Sequence, residues 1–139
     1  VTNIAKSKNA TAEADGLAQI YSTYTAITTN ADGVITSCSI DASQSNVNFD
    51  AAGKITSDLT VAPQTKNELG DAYGMKKASA IGKEWNEQAA AFAAYVTGKT
   101  AADVAGIAVS EGYAGDEDLK ASVTVHITDF LAIIAKAAA

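Results

Sequence analysis

The first half of the chain alternates between apolar and polar positions, which is typical of β-strands. Residues Gln19 to Thr29 are dense in Ile, Tyr and Thr, which suit a pleated surface. The segment Asn30 to Gly33 then supplies turn chemistry, because glycine takes a positive φ at little cost. Beyond this turn, the alternation predicts that one face of a second strand carries Val34, Thr36, Cys38, Ile40 and Ala42.

A second turn and a third alternating segment follow. Asp50 to Gly53 repeats the turn chemistry of the first turn. One face of the next predicted strand carries Ile55, Ser57, Leu59 and Val61. Pro63, the only proline, lacks an N–H group and suits the exit from a sheet. Consecutive strands joined by short turns predict an antiparallel sheet.

The second half of the chain changes to the three- and four-residue spacing of helices. Ser79 is a suitable N-cap before the first such run, and Gly98 is a suitable terminator after it. The pattern predicts a helix from Ala80 to Thr97. Its core positions are Ile81, Trp85, Ala89, Phe92 and Val96.

Two more helices are predicted toward the end of the chain. Thr100 to Asp103 resembles a capping box at the start of a short helix. A final helix is expected to begin near Thr128 or Asp129. Between these helices, Ser122 to Ile127 fits either a strand or a helix, and its alternating β-branched residues favour a strand. The buried positions of the final helix are expected to be Phe130, Ile133 and Ile134.

These patterns predict an α+β fold, with an antiparallel sheet from the N-terminal half and helices from the C-terminal half packed on one face. Large apolar residues are spread along the chain, which favours one shared core and a single domain over residues 16–139. Residues 1–15 are rich in Lys, Ser, Asn, Thr and Ala. We expect them to form either a tether left after export or an edge strand followed by a loop.

Charge narrows the possible partners. The chain has 10 basic and 16 acidic residues, a formal net charge of −6, and every basic residue is a lysine. Nucleic-acid binding requires a positive patch and usually arginine side chains, so we expect no nucleic-acid partner. No apolar run is long enough to cross a bilayer, and we expect no membrane insertion of this domain.

Residue types for covalent and metal chemistry are scarce. Cys38 and His126 are each the only residue of their kind, so the chain can form neither an internal disulfide nor a Cys/His metal cluster. Asp116 to Asp118 lacks the glycine and distal glutamate of a calcium loop. Glu84 and Glu87 are three residues apart on a predicted helix and would ordinarily be solvated, so a hydrolase is the least favoured class. We predict no catalytic residue and no metal site.

A ligand site is expected between Thr65 and Trp85, a segment with the only Met, the only Trp and four lysines. Tyr73, Met75 and Trp85 could flank a flat ring, and backbone amides near Gly82 could hold an anion. The alternative is a loop whose aromatic side chains fill the interface between sheet and helix. The candidate cofactor-binding residues are Tyr73, Gly74, Met75, Ser79, Gly82 and Trp85.

The stretches Tyr73-Gly74-Met75-Lys76-Lys77 and Ile81-Gly82-Lys83-Glu84-Trp85, with the strands before them, resemble a family of exported bacterial proteins. Many of these are lipoproteins of anaerobic Gram-positive bacteria. More distantly, strands followed by a glycine-bearing loop and a helix are similar to extracytoplasmic FMN-binding domains used in electron transfer. Those domains often anchor the flavin through a Ser/Thr-Gly-Ala-Thr motif. This chain has only Ala78-Ser79-Ala80 in that place, so the resemblance implies noncovalent binding.

The residues and the resemblance together predict an exported small-ligand-binding module. Noncovalent FMN binding in extracytoplasmic electron transfer is the first hypothesis, and the expected location is secreted or lipid-anchored at the cell surface. The alternative is a structural or adaptor domain with no small-molecule ligand.

Overall fold

The computed structural model describes the whole chain from Val1 to Ala139. Its main sheet is antiparallel and has the strand order β1-β2-β3. These strands are β1 (Thr2–Asn3), β2 (Gly16–Thr29) and β3 (Ile35–Phe49). A separate two-stranded sheet pairs β4 (Val109–Ser110) with β5 (Tyr113–Ala114).

Helices follow the sheet along the chain, which confirms the predicted α+β class. A short helix and a 3-10 turn (Gly70–Tyr73) come first, and the longest helix follows them. Two short helices and a final longer helix complete the chain. No helix is both long and apolar enough to cross a membrane. The helices are α1 (Lys66–Leu69), α2 (Trp85–Val96), α3 (Ala101–Ala105), α4 (Glu117–Lys120) and α5 (Thr128–Ala137).

β2 and β3 form a long hairpin whose register shifts once. Pairing is continuous from Gly16 to Thr28, and then Thr29 lies opposite Ile35. Thr36 is the extra residue of this bulge, and an extra residue reverses the alternation of the strand. Ile35 is therefore buried and Thr36 exposed, so the faces predicted for the start of β3 were wrong. The rest of the predicted face is retained by Cys38, Ile40 and Ala42.

The core lies between the inner face of this hairpin and two helices. α2 packs on β3, and α5 packs on β2. Phe130 joins the two helices, because its ring packs against those of Trp85 and Phe92 at centroid separations of 5.8 and 5.2 Å. This packing brings the first turns of α2 and α5 against the inner face of β2, where the pocket described below lies.

The main helix starts five residues later than the sequence predicted. Its N-cap is Glu84, not Ser79, and its first residue is Trp85. Gly82 has a φ of +63°, which a continuous right-handed helix does not allow. The end of the helix follows the prediction, with Gly98 in the left-handed conformation just beyond it.

The third predicted strand, over residues 55–61, was wrong. After the turn at residues 50–53, the chain makes one isolated bridge between Phe49 and Ile55 and then leaves the sheet. Asp58 forms a local turn in which its side chain accepts from the backbone N–H and hydroxyl of Thr60. Leu59 remains 70% exposed. Alternation alone predicted a strand here, but no partner strand pairs with this segment.

The strand favoured for Ser122 to Ile127 was also wrong, and its hydrogen bonds explain why. The backbone N–H groups of Thr124 and Val125 donate to Oε1 of Gln88, at 2.7 and 3.2 Å. A buried side chain on α2 therefore takes the place of a partner strand, while Ile127 packs in the core. The two other predictions for this region are confirmed: the Thr100 capping box and the burial of Phe130, Ile133 and Ile134 by α5.

Candidate functional site

A pocket of about 430 Å³ lies between the inner face of β2, the 3-10 turn, the start of α2 and the segment that leads into α5. Its volume falls within the range of small-ligand pockets. The walls are mixed, because aromatic rings alternate with hydroxyls and charged groups. Its lining residues include Tyr21 and Thr23 of β2, then Lys66, Tyr73, Met75 and Trp85, and then His126, Asp129 and Phe130.

Lys66 is the most unusual residue of the pocket, since only 5% of it is exposed. α1 points it inward: a capping box between Thr65 and Glu68 starts this helix, and Asn67 fixes it to β3. The Asn67 side chain donates to the carbonyl of Ile40 at 3.0 Å, and its backbone N–H donates to the Asp41 carboxylate at 3.1 Å. Residue 66 therefore lies against the inner face of the sheet.

Three aromatic rings surround the Lys66 ammonium. Nζ lies 4.6 Å from the ring centroids of Tyr21 and Tyr73 and 4.8 Å from that of Trp85. Ring faces attract cations at such distances. Nζ also donates one hydrogen bond, 2.8 Å long, to Oη of Tyr21. We call Lys66 and these three rings the lysine cage.

The lysine cage contains no carboxylate, and burial controls its electrostatics. The three ion pairs of the molecule involve other, solvent-exposed lysines. Burial lowers the pKa of Lys66 to about 8 because a charged amine loses its hydration there. Burial also raises the pKa of Tyr21 to about 12, so its phenol stays neutral. The cage is thus a cation without a countercharge.

A buried hydroxyl lies beside the lysine cage. Thr23, on the same face of β2 as Tyr21, is buried, and its Oγ1 has no partner within hydrogen-bond distance, although it is close enough to the Tyr21 phenol to act to lower the pKa of that group. Across the pocket, the His126 ring packs edge-on against Tyr113 at a centroid separation of 4.1 Å. Asp129, half-buried in the first turn of α5, also lines the pocket, and its negative charge contributes to the raised pKa of Tyr21.

Glu84 forms a second buried charged site, behind the loop that carries Met75. Its carboxylate accepts from the backbone N–H groups of Met75 at 2.8 Å and Lys76 at 3.0 Å, and it also caps α2 through Trp85. Burial acts to raise the pKa of Glu84, but these backbone donors and the Lys76 charge outweigh it and hold the pKa below its ordinary value. The carboxylate therefore fixes the loop against the start of α2.

The structure brings together half of the predicted site residues. Tyr73, Met75 and Trp85 line the pocket, and Gly74 turns the chain between the first two with a φ of +81°. Ser79 and Gly82 do not line it.

The amides assigned to an anion in the Ser79 region already have partners. The backbone N–H of Ser79 donates to Met75, that of Gly82 donates to the carbonyl of Ser79, and that of Ile81 donates to its hydroxyl. The nearby helix begins with the Glu84 carboxylate, which repels anions. The N–H groups of Ser79, Ile81 and Gly82 are therefore not free to hold an anion in this structure.

Sequence reasoning missed Lys66, Tyr21 and Thr23. Two signals point to them. Thr65 and Glu68 have the spacing of a capping box, which orients the residue between them. Tyr21 and Thr23 are two residues apart and therefore share one face of β2.

Other potentially reactive groups lie outside the pocket. Cys38 is half-buried on β3, and burial raises the pKa of its thiol, which makes it less reactive. No cluster of three or more His, Cys, Asp or Glu side chains is arranged to hold a metal ion. The lysine cage therefore remains the candidate site.

Comparison with known proteins gives a short local likeness. No family model matches the chain, and no solved structure matches it. Over 41 residues the chain is 54% identical to chlorophenol reductase of Desulfitobacterium hafniense. This segment is 30% of the chain and spans only 12% of the length of that relative. The chain is similar to part of that reductase, and the likeness is too short to assign a family.

Proposed function

We propose that this chain is an exported small-ligand-binding module that holds a flat ring in the pocket beside the lysine cage. The first ligand to test is FMN, bound noncovalently for electron transfer outside the cytoplasm. The observation that carries the proposal is a pocket that joins aromatic walls to a buried cation without a countercharge. Ligand pockets commonly combine apolar walls with a few polar groups that fix orientation.

The chemistry of a flavin suits these residues. Tyr73, Met75 and Trp85 offer aromatic and thioether surfaces to a ring, and Lys66 offers positive charge. A cation close to the flavin ring favours its reduced form, because reduction adds negative charge there.

The local likeness to chlorophenol reductase supports a redox-active ligand. The shared 41 residues belong to a protein named for a reduction, and a small domain of this kind would serve such chemistry by carrying an electron-transfer cofactor. Because the likeness spans 12% of that protein, catalysis on chlorophenols is not part of the proposal.

Titration with FMN tests the proposal. We expect FMN fluorescence to fall as protein is added, with a parallel change in the emission of Trp85, the only tryptophan. Tyr73→Ala should weaken binding about tenfold, because it removes one ring of the pocket wall. Tyr95→Ala is the matched control, since Tyr95 also carries a lysine on its ring, at 4.7 Å, but does not line the pocket. Unchanged FMN fluorescence at saturating protein would remove flavin from consideration.

A structural or adaptor role is the second candidate, and one observation favours it. The rings of the lysine cage already stabilise the Lys66 ammonium without a ligand. In that case the cage joins α1, the 3-10 turn and α2 to the sheet. FMN and other ring compounds would then leave Trp85 emission unchanged, and Tyr73→Ala would lower the thermal stability only.

Placement outside the cytoplasm belongs to the same proposal and rests on the resemblance to exported bacterial proteins. Fractionation of cells that make the native protein tests it. Recovery in the membrane-anchored or secreted fraction is expected, and recovery in the cytoplasm would contradict it.

A further inference from the structure

We infer that the pocket selects aromatic anions, and phenolates above all. The phenolate oxygen would accept a hydrogen bond from Lys66 Nζ. The inference rests on the proposed function, because it specifies the charge and the acidic group of the ligand that the pocket holds. Its basis is that Lys66 contacts one phenol oxygen and three aromatic rings but no carboxylate.

The first step concerns charge. A buried charge without a counterion is costly, and ring faces offset only part of this cost. Lys66 has one hydrogen bond and three rings, whereas its ammonium has three N–H donors. A ligand anion would supply the missing countercharge in a place where water screens it little.

The second step concerns geometry, for which the protein contains its own example. Tyr21 presents a phenol oxygen to Lys66 at 2.8 Å within the same aromatic surroundings. Burial keeps this phenol neutral because it raises the Tyr21 pKa. A ligand phenol of greater acidity would make the same contact as a phenolate, and a hydrogen bond between two charged groups is shorter and stronger.

The third step concerns a second donor. Thr23 Oγ1 is buried, lines the pocket beside the Tyr21 phenol and has no partner within hydrogen-bond distance. Leaving a buried hydroxyl unpaired is unfavourable, and a ligand oxygen that accepts from it removes this cost. Lys66 and Thr23 thus provide two donors on one wall of the pocket.

Other charged and titratable groups limit the size of the anion. The carboxylate of Asp129 also lines the pocket, where its charge helps to raise the Tyr21 pKa, and it disfavours a ligand that spreads negative charge across the pocket. A compact oxyanion held at Lys66 keeps the ligand charge localised at the ammonium. The other titratable groups of the pocket are Tyr21, Tyr73, Tyr113 and His126, and the Glu84 charge acts on Tyr73.

The test compares two probes of the same shape with the wild-type protein. 4-Nitrophenol ionises and changes colour when it does, whereas 4-nitroanisole carries a methyl group on the same oxygen and stays neutral. We expect 4-nitrophenolate to quench Trp85 emission with about tenfold higher affinity than 4-nitroanisole. The bound phenol should also ionise about one pH unit below the free phenol, since preference for the anion shifts its pKa.

Variants then locate the effect. Lys66→Met keeps an unbranched side chain of similar length and should abolish the preference for the anion, while Lys77→Met removes an exposed lysine and should retain it. If Lys66→Met does not fold, as judged by circular dichroism, the inference is tested by the wild type alone, from the pH at which bound 4-nitrophenol ionises. Equal affinity for the two probes, no binding of either, or ionisation at higher pH would overturn the inference.

The FMN titration separates this inference from the proposed function. FMN binding without a preference for 4-nitrophenolate would leave the flavin proposal in place and overturn the selection of anions. A Lys66-dependent preference without FMN binding would support the inference and remove flavin as the ligand.

Discussion

Two buried charges lie on opposite sides of the loop that contains Met75, and the protein satisfies them differently. Glu84 is fully buried, and backbone N–H groups converge on its carboxylate. Lys66 is 5% exposed and has a single hydrogen bond, to a phenol, with rings around the rest of its ammonium. Neither residue takes part in an ion pair.

The difference indicates what each charge is for. The partners of Glu84 come from the loop and the helix that it joins, so its hydrogen bonds are complete and their effect is to hold the fold. Lys66 faces a pocket, beside the Thr23 hydroxyl, which has no partner within hydrogen-bond distance. A charge that the fold fully satisfies stabilises the fold, and one that it leaves incomplete favours a ligand.

The largest expected effect is the loss of the Glu84 charge. Glu84→Gln removes the charge and replaces one of the two acceptor oxygens by an NH2 group, which faces the N–H of either Met75 or Lys76 and cannot accept from it, so we expect the melting temperature at neutral pH to fall by roughly 10 °C. Glu117→Gln, which removes only an exposed ion pair with Lys120, should lower it by less than about 2 °C. Calorimetry measures both, and equal changes would refute the structural role of Glu84.

The stabilisation by Glu84 should also depend on pH. Because the folded pKa of Glu84 lies below its ordinary value, its stabilisation is present above the unfolded pKa, about 4.3, and is lost as the pH falls through the folded pKa. The melting temperatures of the wild type and Glu84→Gln should therefore converge as the pH is lowered below about 4.

The Lys66 contribution to stability should also rise with pH, but in the alkaline range. Its folded pKa of about 8 lies below the value of the unfolded chain. Between these two values the unfolded state binds more protons, so stability rises with pH. From about pH 7 to about pH 9.5, the Lys66 contribution should raise the free energy of unfolding by about 2 kcal/mol.

Urea unfolding of the wild type and Lys66→Met measures this contribution as a difference. The difference removes the effects of other groups that titrate in this range, such as Cys38, whose raised pKa acts in the opposite direction. Lys77→Met should retain the whole rise. An identical pH dependence in wild type and Lys66→Met would mean that the Lys66 amine is not desolvated.

The smallest expected effect comes from the unpaired hydroxyl. Thr23→Val removes a buried group that has no hydrogen bond, and should raise the free energy of unfolding by about 1 kcal/mol without ligand. Thr25→Val, two residues along the same face, loses a 2.7 Å hydrogen bond to the carbonyl of Ser39 and should lower it by about 1 kcal/mol. The same sign for both substitutions, in urea unfolding, would contradict the assignment of Thr23.

The fold class could be predicted from the sequence because the spacing of apolar residues changes near the middle of the chain. The errors arose where a long-range partner decided the outcome. Residues 55–61 alternate like a strand but pair with β3 only at their start, and the N–H groups of Thr124 and Val125 donate to Gln88 instead of to a strand. Local β-propensity predicts neither the missing strand pairing nor the Gln88 acceptor.

The candidate site was also predicted only in part, because some of its residues are brought in by long-range contacts. Tyr73, Met75 and Trp85 are unusual residue types within one short segment, and the sequence drew attention to them. Lys66 is one of ten lysines, and nothing about its residue type indicates that it is buried. Its burial depends on Asn67 bonding to β3 and on Tyr21, 45 residues away. Only the three-dimensional fold brings these residues together.

The hairpin of β2 and β3 has a consequence for the order of folding. Its strands are joined by a short turn, and contacts between neighbours in sequence cost little chain entropy and form early. The pocket, by contrast, needs β2 together with α1, α2 and the start of α5, which lies about a hundred residues further along the chain. A nascent chain that has not yet docked α5 would hold a formed sheet but no pocket. The pocket is therefore the last feature that the folding chain completes.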